Sequence, residues 1–247
     1  MRGKLDRLAI DGRSCALYLP PDYSGDGRYY PVVYMNGSEG ISDILERIEP
    51  HFGYDCEAFI LLAAEPRDWN DDFSPWPTPA LTAKSKAFGG QAEAYLKFLS
   101  ENVKPLIDAD YRTRRDSSDT AIVGYSLGGL AALYAMYTCP AFGRFASLSG
   151  SLWYDGWVGF MQSGIPLHTD SRVYISLGRS EENSRNPRMA RVGECTRKTF
   201  VALEKQLTDG GNLQFQLNEG GHFTDIAGRH ELALAWLMNP NNYCSNC

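Results

Sequence analysis

Long hydrophobic runs are missing from this chain of 247 residues. A helix that crosses a membrane needs about 20 consecutive apolar residues, and no stretch of even about 18 is present. The first residues, Met1 to Arg7, carry charges where the apolar core of a secretion signal would lie. The sequence therefore predicts a cytoplasmic protein that has no membrane partner.

Positive charge is in deficit and cysteine is sparse. The 24 Lys and Arg residues face 30 Asp and Glu residues, which gives a formal net charge of -6, so a nucleic acid is not expected as a partner. The six cysteines are irregularly spaced and too few for a disulfide framework. Cys244 and Cys247 form a single C-x-x-C, and a zinc site would need two more ligands. We therefore expect no metal, and a loose tail over residues 239–247.

Short β-rich runs alternate with longer helical patterns from about residue 30 onward. Strands separated by helices are joined by right-handed crossovers, which predicts a mainly parallel sheet with helices on both faces. The N-terminal residues 1–20 predict antiparallel edge strands, and the whole chain, 1–247, is interpreted as one α/β domain. Predicted strands are 29–35, 58–64, 121–123, 145–148, 173–177 and the edge strand 213–217, and predicted helices are 41–48, 95–106, 130–137, 187–207 and 232–237.

A glycine-flanked serine follows one of these strands. Gly124-Tyr125-Ser126-Leu127-Gly128-Gly129 is a G-x-S-x-G pattern that stands between the strand at 121–123 and an apolar helix. A serine on such a strained strand-to-helix turn has its hydroxyl lifted above the carboxyl edge of the sheet, and the glycines remove clashes in the turn. The following helix directs backbone N–H groups towards developing negative charge. Ser126 is therefore predicted to be a nucleophile, with the N–H of Leu127 as one oxyanion donor.

Only four histidines are available to activate that serine. In this architecture the nucleophile precedes the acid and the acid precedes the base along the chain. His51 precedes Ser126, His168 precedes the strand at 173–177, and His230 lies inside the last helix. His222, in Glu219-Gly220-Gly221-His222-Phe223, follows the last strand and is the predicted base.

The acid must lie between Ser126 and His222, after a strand. The turn that follows the strand at 173–177 offers Glu181 and Glu182, between which periodicity does not choose, and Asp170 is a weaker third candidate. The chosen carboxylate would accept the Nδ1–H of the histidine and stabilise the imidazolium.

At this point the sequence resembles a known family. The stretch 30–34, the elbow at 124–129, Ser149-Gly150-Ser151 before Trp153, and Gly220-Gly221-His222-Phe223 are together similar to the putative esterase branch of the α/β-hydrolases. That branch includes enterochelin-type siderophore esterases, feruloyl esterases and S-formylglutathione hydrolases. The resemblance, over about residues 10–238, implies an α/β-hydrolase fold, no cofactor and a small-molecule ester as partner.

The resemblance also implies roles for particular residues. Members carry their acid three residues after a glycine that closes a strand, which points from Gly178 to Glu181. Asn36-Gly37-Ser38 stands where relatives often have His-Gly-x, so the second oxyanion donor is assigned to the N–H of Ser38, with Gly37 as the alternative. Arg67 and the run at 74–77, which contains Trp76, are similar to a family stretch that borders the substrate site.

Aromatic residues are concentrated in loops expected at the carboxyl edge of the sheet. Trp69 and Trp76 belong to the long proline-rich segment 65–90, and Trp153, Tyr154 and Trp157 follow the strand at 145–148. Such side chains suit a planar substrate group, although they could equally pack the loops. We therefore predict a serine hydrolase that cleaves carboxylic esters through an acyl-enzyme. Acyl transfer by the same triad and a non-catalytic binding module on the same fold are the alternatives.

Overall fold

The central sheet is built from apolar strands whose side chains alternate between two covered faces. The computed structural model describes residues 1–25 and 27–240. Across its eight-stranded sheet the order is β1-β2-β4-β3-β7-β8-β9-β10, and β5 and β6 pair separately. The strands are β1 Lys4–Ile10, β2 Arg13–Leu19, β3 Val32–Asn36, β4 Ile60–Ala64, β5 Pro77–Thr78, β6 Phe88–Gly89, β7 Thr120–Tyr125, β8 Arg144–Leu148, β9 Arg172–Gly178 and β10 Leu213–Asn218.

Helices cover both faces of this sheet. Val33 and Met35 of β3 join the core under α1 and α8, whereas Val32 and Tyr34 join the core on the side of α5. Because both faces are buried, the inner parallel strands are largely continuous apolar runs, whereas the edge strand β10 alternates and is only partly buried. The helices are α1 Ile41–Ile48, α2 Trp69–Asp72, α3 Ala92–Lys97, α4 Lys104–Asp110, α5 Leu127–Thr138, α6 Trp157–Ser163, α7 Val192–Gln206 and α8 Ile226–Leu237, and a π-helical stretch, Phe98–Val103, joins α3 to α4.

The strand directions bring several loops to one edge of the sheet. β1 and β2 form an antiparallel hairpin and β2 is antiparallel to β4, while all later neighbours in the order of the eight-stranded sheet are parallel. In register, Asn36 lies opposite Gly124, Tyr125 opposite Leu148, and Asn218 opposite Gly178. The residues that follow β3, β7, β8, β9 and β10 therefore meet at the carboxyl edge, where α/β sites are found.

The predicted mainly parallel α/β sheet, with its antiparallel N-terminal edge, is confirmed. The helices predicted to start at 95 and 130 start three residues earlier, at Ala92 and Leu127, and two helix starts were wrong by five or six residues. α7 begins at Val192 instead of Pro187, because the side chain of Asn186 accepts the N–H groups of Arg188 and Met189 and holds that stretch in a turn. α8 begins at Ile226, because Asp225 caps it by accepting the Gly228 N–H at 3.2 Å.

Two further expectations concern the chain as a whole. No helix within the described ranges 1–25 and 27–240 is long and apolar enough to cross a membrane. Cys244 and Cys247, and most of the tail predicted at 239–247, lie outside the described residues.

Candidate active site

Ser126 occupies a strained turn between β7 and α5. Its φ of 57° and ψ of −121° are rare for a residue with a side chain. The turn is tight, since a Cβ on Gly124 would stand 2.2 Å from the carbonyl oxygen of Gly128. Glycine at 124 is therefore required, and the turn directs the Ser126 hydroxyl away from the sheet, as the sequence pattern predicts.

His222 lies beside this hydroxyl. Its Nε2 is 3.1 Å from Ser126 Oγ, at the far end of a loop that follows β10. Gly220 has a φ of +81°, and a Cβ there would meet Thr224 Oγ1 at 2.4 Å, so a glycine allows the loop to curl back. The hydroxyl of Tyr125 donates a hydrogen bond to the backbone oxygen of His222, which fixes the loop over the end of β7.

Glu181 is the carboxylate that contacts the histidine. Its Oε2 lies 2.8 Å from His222 Nδ1, and the residue is buried. Glu182 turns outward to Arg197 at 2.9 Å. Asp170 precedes β9 and so lies towards the opposite edge of the sheet. Of the three acidic candidates, the structure brings Glu181 alone to His222.

Several donors converge on the other oxygen of Glu181. Oε1 accepts the Gly178 N–H at 2.7 Å, the Ser149 hydroxyl at 2.7 Å and Arg229 Nη1 at 3.0 Å. Burial raises the pKa of Glu181, but hydrogen bonds from His222, Ser149 and Gly178 outweigh it and hold the pKa below its usual value. Glu181 is therefore a carboxylate with an ordered partner on each oxygen.

Sequence reasoning did not give Tyr125, Ser149 or Arg229 a role in this cluster. Ser149 follows β8 with a φ of 46°, and Arg229 reaches the site from α8. Tyr125 ends β7, Ser149 follows β8, and Arg229 lies in α8 after β10, so only the pairing order of the strands brings them together. The one sequence signal was Ser149 itself, in the Ser149-Gly150-Ser151 stretch before Trp153.

The two expected oxyanion donors differ in their surroundings. Leu127 is the first residue of α5, and the first N–H groups of a helix have no partner within it. The Ser38 N–H instead donates to Glu65 Oε1 at 3.1 Å, and the Ser38 hydroxyl donates to the same oxygen. The N–H of Gly37, the alternative, donates to the Ala64 carbonyl at 2.9 Å. Binding an oxyanion at Ser38 thus requires Glu65 to release its N–H.

Two cavities, of about 500 Å³ and about 680 Å³, open on either side of the Ser126–His222 pair. Trp69 and Phe223, both exposed, line both cavities and so flank the pair. The smaller cavity is lined mainly by hydroxyl, amide and aromatic groups, among them Asn70, Ser85, Phe88, Ser151, Trp153, Ser180, Asn183 and Ser184. Lys86 and Glu181 are the charged residues of the smaller cavity, and the larger cavity has four at its wall, namely Glu39, Asp43, Arg47 and Asp225.

Of the three expected substrate contacts, one lines either of these two cavities in the described part of the chain. Trp153 lines the smaller one. Trp76 packs against Tyr134 and Phe160, and its indole N–H donates to the Asp155 carbonyl at 2.9 Å, so it anchors the loop to the core. Arg67 donates to the Asp11 carbonyl at 3.1 Å, at the turn between β1 and β2, away from both cavities. The aromatic wall beside Ser126 also includes Trp69, one of the loop aromatics that the sequence placed at this edge of the sheet.

The remaining histidines have other environments. His230 is buried and stacked on Tyr125 with ring centroids 5.8 Å apart, and burial lowers its pKa to about 4. His168 contacts the Pro140 carbonyl, and His51 lies between two carboxylates on the far side of α8. Within residues 1–25 and 27–240, no group of three His, Cys, Asp or Glu side chains is placed to hold a metal ion.

The fold and the comparisons with known proteins together define a class, the carboxylic ester hydrolases of the α/β-hydrolase fold. A family model described as putative esterase matches residues 11–232, so the chain belongs to the putative esterase family. It is 28% identical over 246 residues to the uncharacterized protein YbbA of Bacillus subtilis, covering 98% of each chain. It is 24% identical over 160 residues to the ferri-bacillibactin esterase BesA of the same organism, covering 62% of this chain and 53% of BesA.

Solved structures agree on the fold. An IroE-like serine hydrolase from Shewanella oneidensis superposes with a TM-score of 0.77 at 19% identity, over 96% of this chain and 80% of that one. The resemblance to the putative esterase branch, and the α/β-hydrolase fold that it implies, are thereby confirmed.

Proposed function

We propose that this protein hydrolyses esters through an acyl-enzyme formed on Ser126. The observation that carries the proposal is the continuous line of contacts from Glu181 through His222 to Ser126, with separations of 2.8 Å and 3.1 Å. Those distances suit proton transfer from the hydroxyl to the imidazole. His222 takes the Ser126 proton as the oxygen attacks the carbonyl carbon, and later delivers it to the leaving alcohol. Glu181 orients the ring and stabilises the imidazolium.

Water completes the cycle at the same site. The acyl group held on Ser126 is attacked by a water molecule whose proton passes to His222. His222 then returns that proton to Ser126 Oγ as the acyl–oxygen bond breaks, and the carboxylic acid leaves. In both halves the developing oxyanion is held by the N–H of Leu127 at the start of α5, where the helix dipole also favours negative charge. The second donor in this proposal is the N–H of Ser38, freed when Glu65 moves aside.

The two cavities suggest how an ester is accommodated. Because Ser126 and His222 lie between them, the acyl part and the alcohol part of a substrate can occupy different cavities. Trp69, Phe88 and Trp153 offer flat apolar walls in the smaller one. We propose that it binds a planar ring of the substrate. Esters of the ferri-bacillibactin type, which appears in the name of the relative BesA, and feruloyl esters are the first classes to screen.

A serine-directed probe tests the nucleophile. A fluorophosphonate should label the wild-type protein once, on Ser126, and the Ser126→Ala variant should remain unlabelled. Turnover of a p-nitrophenyl ester by that variant should fall by several orders of magnitude, with an unchanged melting temperature. Ser180→Ala is the matched control, because Ser180 lines the same cavity with an exposed side chain. Labelling of Ser126→Ala, or more than a few per cent of residual turnover, would refute the proposal.

A further inference from the structure

Arg229 is a buried cation at the centre of the site. It lies in the first turn of α8, is 2% exposed, and belongs to neither cavity wall. A charged side chain this deeply buried is rare unless several polar partners surround it. Those partners indicate what the guanidinium does.

One nitrogen of this guanidinium faces the acid. Nη1 lies 3.0 Å from Glu181 Oε1 and 3.1 Å from the Tyr125 hydroxyl, and it also donates to the Ser149 hydroxyl. The same Ser149 hydroxyl donates to Glu181 Oε1 at 2.7 Å. Arg229 thus supports the carboxylate oxygen that points away from His222, directly and through Ser149.

The other nitrogen faces the loop of the base. Nη2 donates to the Gly221 carbonyl at 2.8 Å and lies 3.4 Å from the Glu219 carbonyl. Gly221 immediately precedes His222. A planar guanidinium holds its donors in a fixed arrangement, so the distance between the acid and the histidine loop is set by one rigid group.

We propose that Arg229 is a positioning residue that sets His222 against Glu181 and offsets part of the Glu181 charge. The proposal rests on the Ser126–His222–Glu181 triad proposed above. Without the cation, the full carboxylate charge faces the imidazole and favours its protonated form, which cannot act as the base. The loop before His222 also loses the donor to Gly221. Apart from Glu181, the groups that face Arg229 are the Tyr125 phenol, the Ser149 hydroxyl and the two loop carbonyls, none of which carries a charge near neutral pH.

The test compares Arg229→Gln and Arg229→Lys with Arg172→Gln. Arg172 is a matched control because it is also a buried arginine that donates to backbone carbonyls of α8, those of Trp236 and Leu237. These carbonyls lie at the C-terminal end of α8, remote from the triad. For Arg229→Gln we expect kcat to fall by about 10- to 100-fold with KM unchanged, because misplacement of a catalytic group by about 1 Å has that effect. The acid limb of its kcat/KM profile should move up by about one pH unit. Arg229→Lys should restore the limb and part of kcat.

The outcomes separate the two proposals. If the wild-type protein is not labelled by a fluorophosphonate at Ser126, the triad fails and the role of Arg229 fails with it. If the wild type is labelled and folded Arg229→Gln keeps kcat and the acid limb, only the role of Arg229 is overturned. An equal fall in kcat for Arg229→Gln and Arg172→Gln, with both acid limbs unmoved, would likewise overturn it, since that pattern belongs to a structural arginine.

Discussion

Exchanging Glu181 for glutamine replaces one oxygen of the carboxylate with an amide nitrogen, and the surroundings decide which oxygen is replaced. Three donors converge on Oε1, from Gly178, Ser149 and Arg229. The amide oxygen must occupy that position, because the NH₂ group would otherwise face three donors with no acceptor. The NH₂ group then faces His222 Nδ1, which becomes an acceptor, so the proton moves to Nε2.

A histidine with its proton on Nε2 cannot accept the proton of Ser126. The loss should resemble that of other triads in which the carboxylate becomes an amide, about 10⁴-fold in kcat, or about 5.4 kcal/mol in activation free energy. The folded structure should survive, because the three donors at Oε1 keep their acceptor. A partial recovery of rate at high pH is expected, as hydroxide replaces the missing base.

Glu182→Gln is the control for this variant. The Glu182 side chain is 40% exposed and pairs with Arg197 on the surface, where an ion pair contributes about 0–1 kcal/mol. We expect its kcat to stay within about threefold of the wild type. The assay is steady-state hydrolysis of a p-nitrophenyl ester from pH 5 to pH 9, with thermal melts beside it. A Glu181→Gln enzyme within tenfold of the wild type, or an equal loss in Glu182→Gln, would refute the reasoning.

Three further predictions concern pH, the oxyanion site and the aromatic walls. The pKa of His230 is about 4 in the folded protein and 6.5 in the unfolded chain, so the unfolded chain binds the proton more readily. The contribution of His230 to the free energy of unfolding is therefore present above pH 6.5 and is lost as the pH falls towards 4. Urea titrations between pH 7 and pH 5 should show that this group lowers the free energy of unfolding by about 2 kcal/mol. The His230→Phe variant should lack this loss, and an equal pH dependence in that variant would contradict the prediction. Glu65→Ala should raise kcat/KM about fivefold, because freeing the Ser38 N–H from a half-buried carboxylate lowers the activation free energy by about 1 kcal/mol. An unchanged or lower rate would mean that Ser38 is not an oxyanion donor. Trp69→Ala should raise KM for aryl esters more than for acetyl esters. Trp76→Ala should instead lower the melting temperature and affect the hydrolysis of all esters alike. If kinetics and thermal melts show the reverse pattern, the substrate wall is formed by Trp76.

The sequence was informative wherever the chemistry is local. The strained turn at Ser126 requires glycine at 124, only two residues away, so the pattern can be recognised in the sequence without knowing the fold. The order of strands and helices predicts the parallel sheet, and a parallel sheet brings the ends of its strands to one edge. His222 could be chosen for the same reason, because it follows the last strand.

Contacts that join distant segments were decided by the tertiary structure. Periodicity did not choose between Glu181 and Glu182, because adjacent residues in a turn differ only in the side of the chain that they face. In the folded protein, packing directs Glu181 towards His222 and Glu182 towards the surface. Arg229 is 48 residues from Glu181 along the chain, and only the packing of α8 against the sheet makes them neighbours.

The positions of the aromatic residues were likewise decided by the tertiary structure. Trp69 and Trp76 stand seven residues apart in one irregular segment, and composition treats them alike. The fold places Trp69 beside Ser126 and packs Trp76 against Tyr134 and Phe160 of the core. A side chain in an irregular loop has no periodicity to assign it a face, so its surroundings depend on which helices the loop crosses. The sequence by itself thus predicted the order of strands and helices and the strained turn that carries Ser126, while the walls and supports of the candidate site required the folded chain.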